Sequence, residues 1–204
     1  MQCSTDLVYL WRRLQHRVCC KKQNDLHGDH AVICKRGRGV IAKHDDLAKV
    51  LANYASKAGF SNIREKRFRF TRKKPADVFV TEWRTRENVA WDVGVASVTR
   101  SDVVGTAAET CGFAAVNYRH TKLKNFGNLK NKEPFKDFHY VPIIAESGGS
   151  WEENAVNMLR RLGFFLRDEK RIERHSRHMG IAATLSVTLQ RWNGRMICSR
   201  FENA

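Results

Sequence analysis

The stretch from Lys73 to Phe126 decides the fold. It contains KKPADVFV (73–80), VAWDVGVAS (89–97) and AVNYRHTKLKNF (115–126). The first two are apolar runs of strand length, and the third follows on a helix. Each run carries one acid, Asp77 between Ala76 and Val78, and Asp92 between Trp91 and Val93. A carboxylate in such a run is costly to bury unless it is paired or coordinates a metal. One such acid is often a turn or cap residue; two on successive strands are harder to dismiss. If the runs are neighbouring strands, the two acids come together, with Lys122 and Lys124 on the next helix. Two carboxylates and an ammonium, in a chain this basic, are equipment for holding a divalent metal against a phosphate.

Working outward, Pro75 opens the strand 76–80, EWRTREN (82–88) is a polar turn, and 89–97 is apolar enough to be a central strand. Upstream, IREKRFRF (63–70) alternates and reads as a strand with a basic outer face. Glu65 sits among those bases, either as a surface ion pair or as a third acid near the metal. His44–Ala58 keeps one apolar face at helical spacing, with Asp45 and Asp46 in its first turn and Gly59 stopping it. Residues 1–14 read as a short amphipathic helix.

Downstream, Val104 to about Phe126 reads as mostly helical, with a face of small residues suited to packing on a sheet. Residues 127–137 read as a polar loop. FHYVPIIAE (138–146) is a further strand, and Pro142 points to an edge or a bulge. Ser150 is expected to cap a helix over 151–167, with Glu153 completing a capping box. A last, arginine-rich helix is expected over 170–191, followed by loose residues. The order is helix, three strands, helix, strand, helix. This predicts an α/β chain with a mixed central sheet flanked by helices. It divides into an N-terminal segment (1–40), a core (41–168) and a basic C-terminal helix and tail (169–204).

Lys and Arg outnumber Asp and Glu 37 to 21, for a formal net charge of +16. That excess points to a polyanionic partner, DNA or RNA. Arg36 and Arg38 in KRGRGV (35–40), with Lys73, Lys74 and Arg119, are the candidate phosphate contacts. No apolar run approaches the ~18 residues of a membrane span. The N-terminus lacks a signal-peptide layout, so an intracellular or nuclear location is expected rather than secretion. Three of the six cysteines lie with three histidines inside residues 16–34. In a non-secreted chain that clustering suggests metal rather than disulfides. His30 and Cys34 form one pair of zinc-ligand spacing; the other is His16 with Cys19, or His16 with Cys20. Packing alone is the alternative for this segment.

The run KPAD (74–77), WDV (91–93) and KLKNF (122–126) resembles the PD-(D/E)xK signature of restriction-endonuclease-like domains. With GDHAVIC (28–34), KRGRG (35–39), AKHDD (42–46) and YVPIIAESGGSW (140–151), the order is similar to the C-terminal region of non-LTR retrotransposon polyproteins, which carries a CCHC zinc knuckle. The resemblance covers about residues 16–166. It implies a restriction-endonuclease-like core behind a small knuckle-like segment. It also implies Mg²⁺ or Mn²⁺ held by Asp77, Asp92 and the Val93 carbonyl, and nicking of target DNA to leave a 3′-hydroxyl that primes reverse transcription. Three departures stand out. The motif reads PAD rather than PD, and the first knuckle cysteine is absent. Val95 is read as standing where the usual lysine follows the second acid, so that role falls to Lys122 or Lys124. A metal-dependent DNA endonuclease is thus expected. The alternatives are a nucleic-acid-binding module that kept the fold without catalysis, or a basic structural protein.

Overall fold

The computed structural model describes residues 28–34, 38–67, 74, 76–84, 87–130, 137–166 and 174–202. It is a mixed α/β fold: a four-stranded mixed sheet flanked by helices. The elements are α1 (Asp29–Ile33), α2 (Gly39–Lys57), β1 (Asn62–Arg64), β2 (Val78–Arg84), β3 (Glu87–Ala96), α3 (Val104–Glu109), α4 (Phe113–Lys130), β4 (Phe138–Glu146), α5 (Glu153–Phe165) and α6 (Arg174–Glu202).

The strands lie in the order β1-β2-β3-β4. The first three are antiparallel, and β4 returns parallel to β3, with Asp92 opposite Pro142. A parallel return requires a crossover, and α3 and α4 supply it. Pro142 therefore lies on an edge strand, where its missing N–H is tolerated.

The period-2 alternation of β3 divides the core in two. Val89, Trp91 and Val93 face one side, where they meet Leu47 and Leu51 of α2, Leu159 and Leu162 of α5, and Ile181, Leu185 and Leu189 of α6. Ala90 and Ala96 face the other side, under α4, against Phe126 and Ala115 respectively. Asp92 shares that second face. Trp83 joins the first core, although alternation from Phe79 would send it to the second side. The register slips between Val80 and Arg84, and Glu82 takes φ 54°, a bulge that restores Trp83 to the inner face.

Several boundaries differ from the sequence reading. α2 starts at Gly39, so His44, Asp45 and Asp46 lie inside it rather than in its first turn. β1 pairs over only three residues and ends at Arg64, before Glu65, whose φ is 51°; residues 68–70 of the expected strand lie outside the described residues. The helix expected over 104–126 is broken at Gly112, φ 80°, and resumes into the expected loop as far as Lys130. Glu152, not Ser150, is the N-cap of α5; its carboxylate accepts from the Asn154 and Ala155 amides. Ser150 instead donates to the Glu146 carboxylate at 2.6 Å. The C-terminal helix is no loose tail. It extends to Glu202, and it contributes an apolar face to the main core. Among the described residues no helix is long and apolar enough to cross a membrane.

Candidate functional site

Asp77 and Asp92 come together as the two-strand reading expects. Asp77 directly precedes β2, and its Oδ2 accepts the Val93 amide of β3 at 2.7 Å. That amide follows Asp92 immediately along the chain. Asp77 Oδ2 also faces His44 Nε2 of α2 at 3.1 Å, and His44 Nδ1 lies 3.2 Å from Asp45 Oδ1. The hydrogen bond to Asp77 raises the His44 imidazole to about 9 against the opposing effect of burial. Burial pushes Asp77 upward. His44, the Val93 amide and Lys122 together outweigh it and hold the carboxyl below its ordinary value.

Asp92 is held from α4 and β4. Lys122 Nζ donates to Asp92 Oδ1 at 2.6 Å and to the Val93 carbonyl at 3.2 Å. The Tyr140 hydroxyl donates to Asp92 Oδ2. Tyr140 is itself aligned by stacking on Phe126, with centroids 4.2 Å apart and planes within 8°. Burial raises the Asp92 carboxyl; Lys122 opposes this, and the neighbouring Asp77 adds to it. Burial, then Asp92, drives the Tyr140 phenol well above its usual range, so it stays a proton donor. One acid is pushed down and the other up, the arrangement that two close carboxylates in different surroundings produce. A concavity of about 450 Å³ opens beside Asp92, Lys122 and Tyr140.

The position of α4 sets the reach of Lys122, and a buried acid sets α4. Glu146 ends β4, and its Oε1 accepts the Ala114 and Ala115 amides at 3.1 and 3.4 Å. A carboxylate there caps the start of α4 and complements its dipole from the end of β4. Lys122 then falls two turns further along.

The remaining predicted residues divide clearly. Lys124 is exposed. Residues two apart on a helix do not share a face, so it does not join Lys122 at Asp92. Glu65 carries no third carboxylate to the acid pair; it forms an ion pair with Lys74. Val95 is not the position that a lysine would occupy. It points into the main core, and the residue two places after Asp92, on the same face, is Gly94. Arg119 lies 3.8 Å from the buried Glu152, and Arg38 is exposed at the start of α2. His30 lies on α1, and the buried Cys34 directly follows it. His16, Cys19, Cys20, Arg36 and Lys73 lie outside the described residues.

Reasoning from sequence missed His44, Tyr140 and Glu146 as site residues. AKHDD had marked the His44 neighbourhood and YVPIIAESGGSW that of Tyr140 and Glu146, but neither segment assigns those side chains a role. Tyr140 acts on the neighbouring strand and Glu146 on the start of α4. Among the described residues no group of three or more His, Cys, Asp or Glu side chains is gathered to hold a metal. The oxygen donors present are the two carboxylates and the Val93 carbonyl.

No protein-family model matches the chain, and no curated protein matches it in sequence.

Proposed function

We propose that the chain is a divalent-metal-dependent endonuclease of the PD-(D/E)xK kind, with DNA as its substrate. The observation that carries this reading is the placement of Lys122. Its ammonium bridges Asp92 Oδ1 and the Val93 carbonyl oxygen. Those are two oxygens that a hard cation would use, so the site is built to attract positive charge. Both contacts to Asp77 fall on its Oδ2. Asp77, Asp92 and the Val93 carbonyl would hold Mg²⁺ or Mn²⁺, which when bound supplies an activated water and neutralises phosphate charge. His44 and the Val93 amide orient Asp77. Tyr140 and Lys122 orient Asp92, and Lys122 is also the cation within reach of a developing phosphorane. The net charge of +16 favours a phosphodiester polymer as partner.

The resemblance to retroelement polyproteins extends the reading to target-site nicking. It also extends it to Zn²⁺ in the N-terminal segment, where His30 and Cys34 stand four residues apart.

A second reading follows from the same contact. Lys122 already neutralises Asp92, and Gly94 offers no side chain at the usual lysine position. A binding module without catalysis would look like this. Incubation with supercoiled plasmid in Mg²⁺, Mn²⁺ or EDTA, beside Asp92→Ala, separates the two. Metal-dependent nicking lost in Asp92→Ala is the expected result. Intact plasmid of retarded mobility would replace the nuclease with the binding module.

A further inference from the structure

A second cleft, of about 590 Å³, follows the outer edge of β4 between α4 and α5. Arg119 of α4 lines one wall, Arg160 and Arg161 of α5 line the other, and His139 belongs to β4. Asn154 and Asn157 add amide groups between them. Acid is scarce here. Glu87 also lines the cleft, 3.7 Å from His139. Glu152, beside Arg119, is buried and occupied in capping α5. Next to Arg161 a smaller concavity is lined by Phe164, which is 59% exposed.

We propose that this cleft is the track for a single strand of nucleic acid leading to the Asp77–Asp92 site. The inference rests on the nuclease reading for its destination, but not for its chemistry. Three guanidiniums and an imidazole in one cleft complement a chain of phosphates. An exposed aromatic ring beside them is the surface on which an unpaired base stacks, which duplex bases cannot do. Tyr140 joins the track to the acid site. It lines both this cleft and the concavity beside Asp92, and its hydroxyl donates to Asp92. An extended peptide adding to the edge of β4 fits less well. Pro142 has no N–H to offer, and the C-terminal half of that edge is already engaged: Glu146 N donates to the Ser150 carbonyl, and Glu152 N donates to the Ile144 carbonyl.

The test is binding by fluorescence anisotropy in EDTA, where no cleavage occurs, across a salt series. The probes are a short DNA strand, the RNA of the same sequence, the matched DNA duplex and polyglutamate. The proteins are the full chain, Arg160→Glu with Arg161→Glu, the matching double lysine variant, and Phe164→Ala. Arg160 and Arg161 are exposed, and thermal melts verify that each variant folds. The expected result is tighter binding of single strands than of duplex. Charge reversal should weaken that binding about tenfold or more, and flatten the salt slope by about 1.4, two contacts' worth. The double lysine variant should retain most of the affinity. Phe164→Ala should weaken single-strand binding about fivefold or more. The DNA and RNA arms read which sugar the track prefers.

Unchanged binding in the folded charge-reversal variant would overturn the proposal. So would polyglutamate binding as tightly as the oligonucleotides, which would assign the cleft to an acidic peptide. The two readings fail separately. Arginine-dependent binding without plasmid nicking removes the nuclease and keeps the track. Nicking with unchanged binding by the reversed cleft removes the track and keeps the nuclease.

Discussion

Lys122 crosses the space above Gly94, beside Tyr118 and Ile144. A Cβ built on Gly94 would lie 3.3 Å from Cε of Lys122, 2.8 Å from a ring carbon of Tyr118 and 2.7 Å from Cδ1 of Ile144. The absence of a side chain on the strand is thus what lets Ile144, Tyr118 and the stem of Lys122 crowd together there. Gly94→Ala should destabilise the fold by about 1–3 kcal/mol through overpacking, and should displace Lys122 from Asp92. Denaturant unfolding together with plasmid nicking reads both effects. An alanine variant of unchanged stability and activity would show that the site does not depend on this exclusion.

The two candidate lysines should separate cleanly. Lys122→Met removes the only side-chain cation hydrogen-bonded to Asp92 among the described residues. Nicking should fall by about 100-fold or more, as for loss of a transition-state charge partner. Lys124→Met alters an exposed position and should leave the fold within about 0.5 kcal/mol of wild type and the nicking rate nearly unchanged. Equal losses in the two variants would argue for general charge rather than a positioned ammonium.

Glu146 should matter at a distance. Glu146→Ala leaves the Ala114 and Ala115 amides and the Ser150 hydroxyl without their acceptor. A lost cap plus buried unsatisfied donors should cost about 2–3 kcal/mol. Because α4 carries Lys122, nicking should fall as well, even below the melting range. Thermal melts and initial rates at low temperature distinguish the two contributions. A destabilised variant with a wild-type initial rate would mean that α4 keeps its register without this cap.

Lys43 gives the fold a pH dependence. It is buried on α2, and its ammonium donates to the Val32 carbonyl and to Asn193 Oδ1, both at 3.0 Å. Burial pushes it down to about 8 from 10.5. Between those values this lysine holds more protons in the unfolded chain than in the folded one, so its contribution to folding stability rises with pH across that window, opposed below about 9 by the fading His44–Asp77 contribution. The rise is bounded at about 3 kcal/mol. Urea unfolding of the wild type and Lys43→Met across this range should show the wild type gaining stability relative to the variant as pH rises. Parallel profiles would exclude Lys43 as its source.

Much of the fold was legible from period and spacing. The apolar stripe of α2, the alternation of β3, the strand at 138–146 and the proline on its edge are local signals, and local backbone physics reads them. The pairing of Asp77 with Asp92 was legible for the same reason. Two charges in apolar strands must be answered by something, and strand neighbours were the simplest answer.

The chain's own chemistry thus determined two carboxylates on neighbouring strands, a strong excess of positive charge and a sheet covered by helices. Only the tertiary structure decided who serves those carboxylates. The choice of Lys122 over Lys124 depends on the rotation of α4, which Glu146 sets from the end of a strand that comes later in sequence. The Tyr140 hydroxyl reaches Asp92 because β4 returns parallel beside β3, and His44 reaches Asp77 because α2 packs against β2 and β3. The place of the missing lysine, by contrast, is local: Gly94 stands two residues after Asp92 and shares its face by alternation, while Val95 turns into the core with Val93. The physical reason is common to the three tertiary cases. A side chain's direction follows from register and helix rotation, and these are fixed by contacts between residues far apart in sequence.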